Sequence, residues 1–171
     1  MYIQIIYLLD LYRQIKIIAL IMKIEEIIKS TVPLEISKKI ILNIAYTQNV
    51  LGDSFNEIVK PYDISSEQYN VLRILRGQKG NPANMCLIQE RMIAKTSNTT
   101  RLVDKLLLKE LVTREVCSEN RRKIEVSITA KGLEVLKTLD SKIIEHEKLF
   151  AQNLNSEELE TLNTLLEKYR N

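Results

Sequence analysis

The chain has few of the residues that form disulfide frameworks, metal sites or acid–base sites. Among 171 residues there are two cysteines, Cys86 and Cys117, and one histidine, His146. No CxxC pair or Cys/His cluster is present, which argues against disulfides and zinc. We expect both thiols to be buried and inert, as in a protein of the reducing cytoplasm. We also expect His146, which lies among charged residues, to be a solvated helix residue.

Catalytic and phosphate-binding motifs are missing as well. The sequence contains no P-loop, GxGxxG, GxSxG or HExxH pattern, and a single histidine removes most acid–base schemes at neutral pH. We therefore predict that the protein is not an enzyme and that it needs neither a cofactor nor a metal.

The N-terminal segment is apolar but is interrupted by charge. A membrane-spanning helix needs about 20 mostly apolar residues, whereas Asp10, Arg13 and Lys16 lie in the middle of this segment. The early positive charge and small-residue cleavage site of a secretory signal are also absent. We predict no membrane contact and treat residues 1–30 as an extension. Two interpretations stay open: a helix that packs on a partner subunit, or translation that starts at Met22, which we favour.

Positive charge is concentrated in one part of the chain, whose formal net charge is +3. Residues 85–131 contain ten lysines and arginines and six acidic residues, whereas residues 132–171 contain five and eight. A basic excess on one segment is what a surface that binds a nucleic acid duplex requires.

The same basic segment has the pattern of a helix-turn-helix followed by a β-hairpin. After a loop that ends near Pro82, Asn84 can cap a short helix, and Thr96 or Ser97 can cap the next one. The second helix has an apolar stripe, which we expect to be buried, formed by Thr99, Leu102, Val103, Leu106 and Leu107. Its other face presents Asn98, Thr100, Arg101, Asp104 and Lys105. Residues 111–117 and 123–129 then alternate as two strands around a basic tip, a combination suited to contact with a duplex.

Longer helical patterns flank this segment on both sides. One begins at Pro33 and ends at Pro61, and Ser65 with Gln68 then forms the capping box of a following helix. Residues 133–150 and 156–169 carry leucine-rich stripes. These stripes exceed what a small winged core can cover. We therefore predict a homodimer in which residues 31–60 and 131–171 form a helical dimerisation region and residues 61–130 form the DNA-binding domain.

The order and spacing of these pieces resemble the MarR family of winged-helix transcriptional regulators. The resemblance covers residues 34 to 169 and is carried by four segments: ISSEQYNVLRIL, TSNTTRLVDKLLLKELV, ENRRKIEVSIT and ITAKGLEVL. It implies a fold that is mainly α-helical with a small β-hairpin wing, a winged helix-turn-helix core and N- and C-terminal dimerisation helices. It also implies a crevice that often takes phenolic or other lipophilic effectors.

Two positions depart from the family pattern. Asn120 stands where the family usually has an aspartate that holds a wing arginine, and a neutral amide would hold it more weakly. Glu110 stands where the family usually has glycine. Either Glu110 adopts a left-handed backbone, at a cost of about 1 kcal/mol, or the helix before it ends differently.

The predicted function is sequence-specific binding of double-stranded DNA by a regulator, most simply a repressor, that occupies a palindromic operator as a homodimer. Side chains of the second helix would read base edges, and the wing tip would reach the adjacent minor groove. The predicted DNA-contacting residues are Lys95, Ser97, Asn98, Thr100, Arg101, Lys105, Arg121, Arg122 and Lys123.

One alternative function and one set of effector contacts stay open. The alternative is a winged-helix adapter that binds only another protein, as winged folds also do. The aromatic residues Tyr46, Phe55, Tyr62 and Tyr69 are candidates for the effector crevice, and core packing would explain them equally well.

Overall fold

The computed structural model of this chain describes residues 22–95, 98–116 and 124–171. Within these residues lie seven α-helices, one 3-10 turn and three β-strands. In chain order they are α1 (Ile24–Ile27), α2 (Ile36–Val59), the 3-10 turn (Lys60–Tyr62), α3 (Ser66–Arg76), β1 (Ala83–Asn84), α4 (Met85–Arg91), α5 (Thr99–Leu108), β2 (Val112–Val116), β3 (Ile124–Ile128), α6 (Ala130–Ala151) and α7 (Ser156–Arg170). The predicted fold class is confirmed: the chain is mainly helical with a small antiparallel sheet and a winged helix-turn-helix core.

Two compact units divide the chain between Leu51 and Gly52, inside α2. The predictions for residues 1–21 concern a segment outside the described residues. An ion pair joins Lys39 to Glu25 of α1. Five large apolar side chains on this part of α2 are exposed, namely Ile36, Ile40, Ile41, Ile44 and Leu51.

Helix α3 is central to the core of the second unit. Its capping box forms as predicted: the Ser65 hydroxyl accepts a hydrogen bond from the Gln68 N–H at 3.3 Å, and the Gln68 side-chain carbonyl accepts one from the Ser65 N–H at 2.9 Å. Six of the eleven residues of α3 are buried. The core around them contains Val59, Ile88, Met92, Val103, Leu106, Val112, Val126, Leu136 and Leu139.

The small sheet has the strand order β1-β3-β2, and both pairings are antiparallel. Strands β2 and β3 pair as the alternation predicted, with Val112 opposite Ile128. The sequence does not predict strand β1, because it indicates only a loop that ends near Pro82 and a helix cap at Asn84. Asn84 does cap α4, and its side-chain oxygen accepts a hydrogen bond from the Leu87 N–H at 2.9 Å. A two-residue strand is too short to show alternation, so only its pairing reveals it.

Helix α5 ends at a residue with left-handed backbone geometry, Glu110, whose φ is 60°. The Glu110 N–H donates to the Leu107 carbonyl at 2.9 Å, and the Leu111 N–H donates to the Leu106 carbonyl at 3.0 Å. This pair of bonds is the Schellman arrangement, which normally places glycine at the left-handed position. Of the two alternatives for Glu110, the left-handed one is therefore adopted, and it costs about 1 kcal/mol relative to glycine.

A tight junction connects the wing to α6, and we call it the wing joint: Glu110, Leu111, Thr129 and Gly132. The Thr129 hydroxyl caps α6 by accepting from the Gly132 N–H at 3.0 Å, and it donates to the Glu110 carbonyl at 2.8 Å. The Thr129 N–H donates to the Leu111 carbonyl at 3.1 Å. A Cβ at position 132 would lie 2.3 Å from that carbonyl oxygen, so only glycine fits here.

The two C-terminal helices differ in how much they bury. Helix α6 buries Leu136, Leu139 and Ile143, and Asp140 on it receives two hydrogen bonds from the Arg76 guanidinium, at 2.8 and 2.9 Å. Helix α7 has a capping box at its start and no buried residue. Its apolar side chains are exposed or half-buried.

Candidate nucleic-acid interface

The N-terminus of α5 is capped by Asn98. The Asn98 side-chain oxygen accepts a hydrogen bond from the Arg101 N–H at 3.1 Å, so the predicted cap at Thr96 or Ser97 is wrong. Three consecutive residues in the sequence can act as caps, and the local pattern does not distinguish them. The cap uses one acceptor position of Asn98 and leaves its side-chain NH₂, on an exposed residue, as a donor.

The two faces of α5 separate largely as predicted. Thr99, Val103 and Leu106 are buried against the core, and the exposed side chains of the polar face are Asn98, Thr100, Arg101 and Lys105. The prediction was wrong for Leu107, which is 37% exposed near the C-terminal end of the helix. Within the described residues neither Arg101 nor Lys105 forms an ion pair. Both cations are therefore available to an anionic partner.

Asp104, the one acidic residue of the polar face, pairs with Arg114 in the middle of β2. The aspartate carboxylate thus points towards the wing and is neutralised by a guanidinium. This ion pair holds the orientation of α5 relative to β2. It also reduces the negative charge that the face would present to phosphate groups.

The remaining predicted contact residues flank α5. Lys95 follows α4, is exposed, and donates to the Glu90 carbonyl near the end of that helix. Ser97 and the wing-tip residues Arg121, Arg122 and Lys123 lie outside the described residues, as does Asn120. The structure therefore brings Lys95, Asn98, Thr100, Arg101 and Lys105 to the helix-turn-helix and is silent on the other four.

Cys86 does not behave as predicted. It lies on α4 and is exposed, whereas we expected a buried thiol. The helix is only seven residues long and buries Ile88 alone, so most of its surface faces outward. Cys117 is outside the described residues.

A cavity of about 320 Å³ lies behind the helix-turn-helix. Its walls come from the end of α2, the outer face of α3 and the turn after α4. The lining residues are Phe55, Ser66, Glu67, Tyr69, Asn70, Arg73, Met92, Ile93 and Ala94. Of the four aromatic candidates for an effector crevice, Phe55 and Tyr69 belong to this lining, and Tyr46 and Tyr62 do not.

An aromatic cluster supports one wall of the cavity. The Phe55 and Tyr69 rings meet edge to face, with centroids 5.2 Å apart, and the His146 ring lies 6.0 Å from Phe55 and 4.9 Å from Phe150. The prediction that His146 is a solvated residue is therefore wrong, because its ring is packed among aromatic rings. Burial raises the pKa of the Tyr69 hydroxyl, so this phenol stays neutral at physiological pH.

The polar groups of the cavity all come from α3. The Arg73 guanidinium donates to the Asn70 side-chain oxygen at 2.9 Å, and the Ser65 hydroxyl donates to the Glu67 carboxylate at 2.7 Å. That hydrogen bond lowers the pKa of Glu67. The cavity thus combines apolar and aromatic walls with a guanidinium, an amide and an ionised carboxylate, the composition usual for a small-molecule site.

The described residues form neither a membrane-spanning helix nor a cluster of metal ligands. No helix in residues 22–95, 98–116 and 124–171 is long and apolar enough to cross a membrane. The same residues contain no group of three or more potential metal ligands.

Comparison with known proteins identifies the winged segment. The MarR family model matches residues 64–124, which contain α3, β1, α4, α5 and β2. The crystal structure of a MarR transcription factor from Planctomyces limnophilus is 29% identical in sequence, with a TM-score of 0.62, over 80% of this chain and 98% of that one. No curated protein matches the sequence.

Two further solved structures share the fold. A mutant of MarR from E. coli, complexed with operator DNA, is 22% identical, with a TM-score of 0.69, over 80% of this chain and 99% of that one. An organohalide-sensing transcriptional regulator in its 2,4-dichlorophenol-bound form is 15% identical, with a TM-score of 0.74, over 82% of this chain and 86% of that one. With the family model and the Planctomyces relative, they show that residues 64–124 are similar to the MarR family and that the chain shares the fold of MarR transcription factors.

Proposed function

We propose that this regulator binds a palindromic operator as a homodimer, represses transcription from it, and is released by a small lipophilic or phenolic effector. The observation that carries the proposal is the exposed polar face of α5, where Arg101 and Lys105 have no acidic partner within the described residues. A structural helix on a globular domain has no need for two uncompensated cations beside a helix-turn-helix.

Each side chain of this face suits a particular part of the duplex. The Arg101 guanidinium can donate two parallel hydrogen bonds to guanine in the major groove, and such a pair discriminates between bases by about 1–3 kcal/mol. Asn98 offers its side-chain NH₂ to a base acceptor while its oxygen caps α5. Thr100 and Ser97 are further candidates for base or phosphate contacts, and Lys95 and Lys105 suit phosphates.

The wing supplies the second part of the proposed contact. The sequence places Arg121, Arg122 and Lys123 at the tip of the hairpin formed by β2 and β3. We propose that the two arginines enter the adjacent minor groove, where narrow A·T tracts concentrate negative potential. The E. coli relative complexed with operator DNA supports a duplex as the partner.

The dimer is supported by apolar surface that the second unit leaves uncovered. On α7, Leu162, Leu165, Leu166 and Tyr169 are exposed, with Leu165 at 56%. A second copy would cover such a stripe by two-fold symmetry. Two reading helices related in this way would contact half-sites about 34–36 Å apart.

The effector proposal rests on the cavity. Its aromatic walls, Phe55 and Tyr69, and its cationic group, Arg73, suit a ring that carries an acidic oxygen. The relative in its 2,4-dichlorophenol-bound form supports this class of ligand. A ligand releases the operator only if it binds the free state of the protein more tightly than the DNA-bound state.

Selection of bound sequences from a random duplex pool tests the proposal. We expect an inverted repeat in which the centres of the two half-sites are one turn of the DNA helix apart. Arg101→Ala should then relax base preference at one position of each half-site, whereas Arg122→Ala should weaken binding to all sequences. A pool that enriches no sequence, together with binding that does not depend on salt, would favour the protein adapter instead. Equal operator affinity of both variants and the wild type would contradict the residue assignments.

A further inference from the structure

One wall of the cavity is formed by the turn that follows α4 and leads into α5. Met92, Ile93 and Ala94 line the cavity, and they lie between the last residue of α4 and the Asn98 cap of α5. Ile93 is 82% exposed. A ligand in the cavity can therefore contact the segment that sets where the reading helix begins.

One buried amide joins α3 to this turn. Asn70 is 7% exposed, and its side-chain NH₂ donates to the Met92 sulfur at 3.5 Å. A thioether is a weak acceptor, and a primary amide has two hydrogens to donate. The only partner that the described residues give this NH₂ group is therefore a poor one, although a buried amide is costly without good hydrogen bonds.

We infer that Asn70 couples occupancy of the cavity to the position of α5, an inference that rests on the proposed effector function. A ligand oxygen near Arg73 offers the Asn70 NH₂ a stronger acceptor than the Met92 sulfur. When the Asn70 NH₂ group turns to donate to the ligand oxygen, it moves away from the Met92 sulfur, and the contact between α3 and the turn is lost. The turn then relaxes, and α5 leaves the position that reads DNA.

The inference specifies the chemical class of the ligand and the role of the residue. The ligand has an apolar ring, which packs against Phe55 and Ile93, and at least one acceptor oxygen, which lies between Arg73 and Asn70. Asn70 is a positioning residue, since it acts on DNA through Met92 and the turn. Leucine is similar to asparagine in volume. If Asn70 only filled space, Asn70→Leu would therefore leave the response to ligand unchanged.

Operator titrations with and without saturating 2,4-dichlorophenol test the coupling. The variants are Asn70→Leu and Met92→Leu, and the control is Ser66→Ala, a cavity residue that does not join α3 to the turn. In the wild type and the control we expect the probe to weaken operator binding by about tenfold or more. Asn70→Leu already lacks the bond to Met92, so we expect its operator binding without the probe to be weaker than that of the wild type by about tenfold. We also expect calorimetric binding of the probe that is weaker by at most about tenfold and a further response to the probe below about twofold.

Two results would overturn the coupling in this experiment. One is a full response to the probe in Asn70→Leu, and the other is complete loss of probe binding in that variant, because Asn70 would then serve only to bind. A wild type that neither binds nor responds to 2,4-dichlorophenol would instead contradict the proposed effector function.

Hydrogen exchange of the free proteins decides the coupling without any ligand. If Asn70 holds the turn through Met92, exchange at the amides of residues 92–95 should be faster by about fivefold in Asn70→Leu and in Met92→Leu. Exchange in α6 should stay the same, and Ser66→Ala should match the wild type. Unchanged exchange at the turn in both leucine variants would refute the inference.

Discussion

Helices α3 and α7 begin in the same way and end up in different surroundings. Each starts with a capping box, formed by Ser65 with Gln68 in α3 and by Asn155 with Glu158 in α7. Helix α3 buries six of its eleven residues, whereas α7 buries none of its fifteen. A helix of about 15 residues is only marginally stable alone in water. Local signals therefore determine where a helix forms, and the surface that would cover α7 is that of the second copy in the proposed dimer.

A charge on the apolar stripe of α7 should have the largest effect. Leu165→Asp buries one carboxylate from each subunit in the proposed interface, at a cost of several kcal/mol. We expect the variant to be monomeric in light scattering at micromolar concentration and to bind the operator at least about 100-fold more weakly. Thr164→Asp adds the same charge on the opposite face of α7 and should remain a dimer. Identical solution masses for both variants in light scattering would contradict the proposal that a second copy covers α7, as the core covers α3.

Substitution of two glycines compares a position with no space for a Cβ, Gly132, and a position with free space, Gly52. Gly132→Ala puts a methyl group against the Leu111 carbonyl, which cannot move without distorting the wing joint, and should lower the free energy of unfolding by about 3 kcal/mol. In α2, a Cβ at Gly52 would meet nothing within 4 Å. Gly52→Ala should therefore raise stability by about 0.5–1 kcal/mol through helix propensity. Urea denaturation at one fixed protein concentration measures both, and equal changes would contradict the packing argument.

Relief of the left-handed residue should have a smaller, stabilising effect. Glu110→Gly removes the cost of a φ of 60° and should raise the free energy of unfolding by about 1 kcal/mol. The ion pair of Glu110 with Lys131 is lost, but both side chains are largely exposed, so this loss contributes little. Glu110→Ala, which also removes the ion pair but keeps the Cβ, should give no gain. A gain in both variants would point to the charge and not to the backbone.

The smallest expected effect is a pH dependence at the start of α3. The Ser65 hydroxyl lowers the pKa of Glu67 below 4.5, so its stabilisation is fully present above pH 4.5 and is lost as the pH falls through the lowered value. Because Glu67 is partly solvated, we expect Glu67→Gln to cost only about 0.5 kcal/mol at neutral pH. The difference from wild type should disappear in acid. It should also disappear in a Ser65→Ala background, and persistence there would assign the effect to another contact.

The elements that the sequence predicted depend on nearby residues. The Ser65 capping box, the cap at Asn84 and the pairing of β2 with β3 all follow from a few consecutive side chains, whereas the sequence left two backbones open at Glu110. The exposed polar face of α5 was predicted in the same way, from helical periodicity.

The features that the sequence did not predict depend on distant partners. Strand β1 exists because it pairs with β3, about forty residues further along the chain. His146 meets Phe55, ninety-one positions earlier, and no periodicity signals such a contact. The cavity is likewise formed by three segments that are separate in the sequence. Of its lining residues, the sequence predicted only Phe55 and Tyr69 as candidates for an effector crevice. At Asn98 the reason is different, since three adjacent residues could all have served as the cap.

The wing joint has a mechanical consequence for the proposed dimer. Because Gly132 leaves no space beside the Leu111 carbonyl, α6 cannot rotate about its first turn unless the base of β2 moves with it. Helix α6 has 22 residues and is roughly 33 Å long, so a tilt of about 5° displaces its far end by about 3 Å. In a symmetric pair, both hairpins would travel in opposite directions by a related amount. The distance between the two hairpins of a dimer would thus change with the tilt of α6.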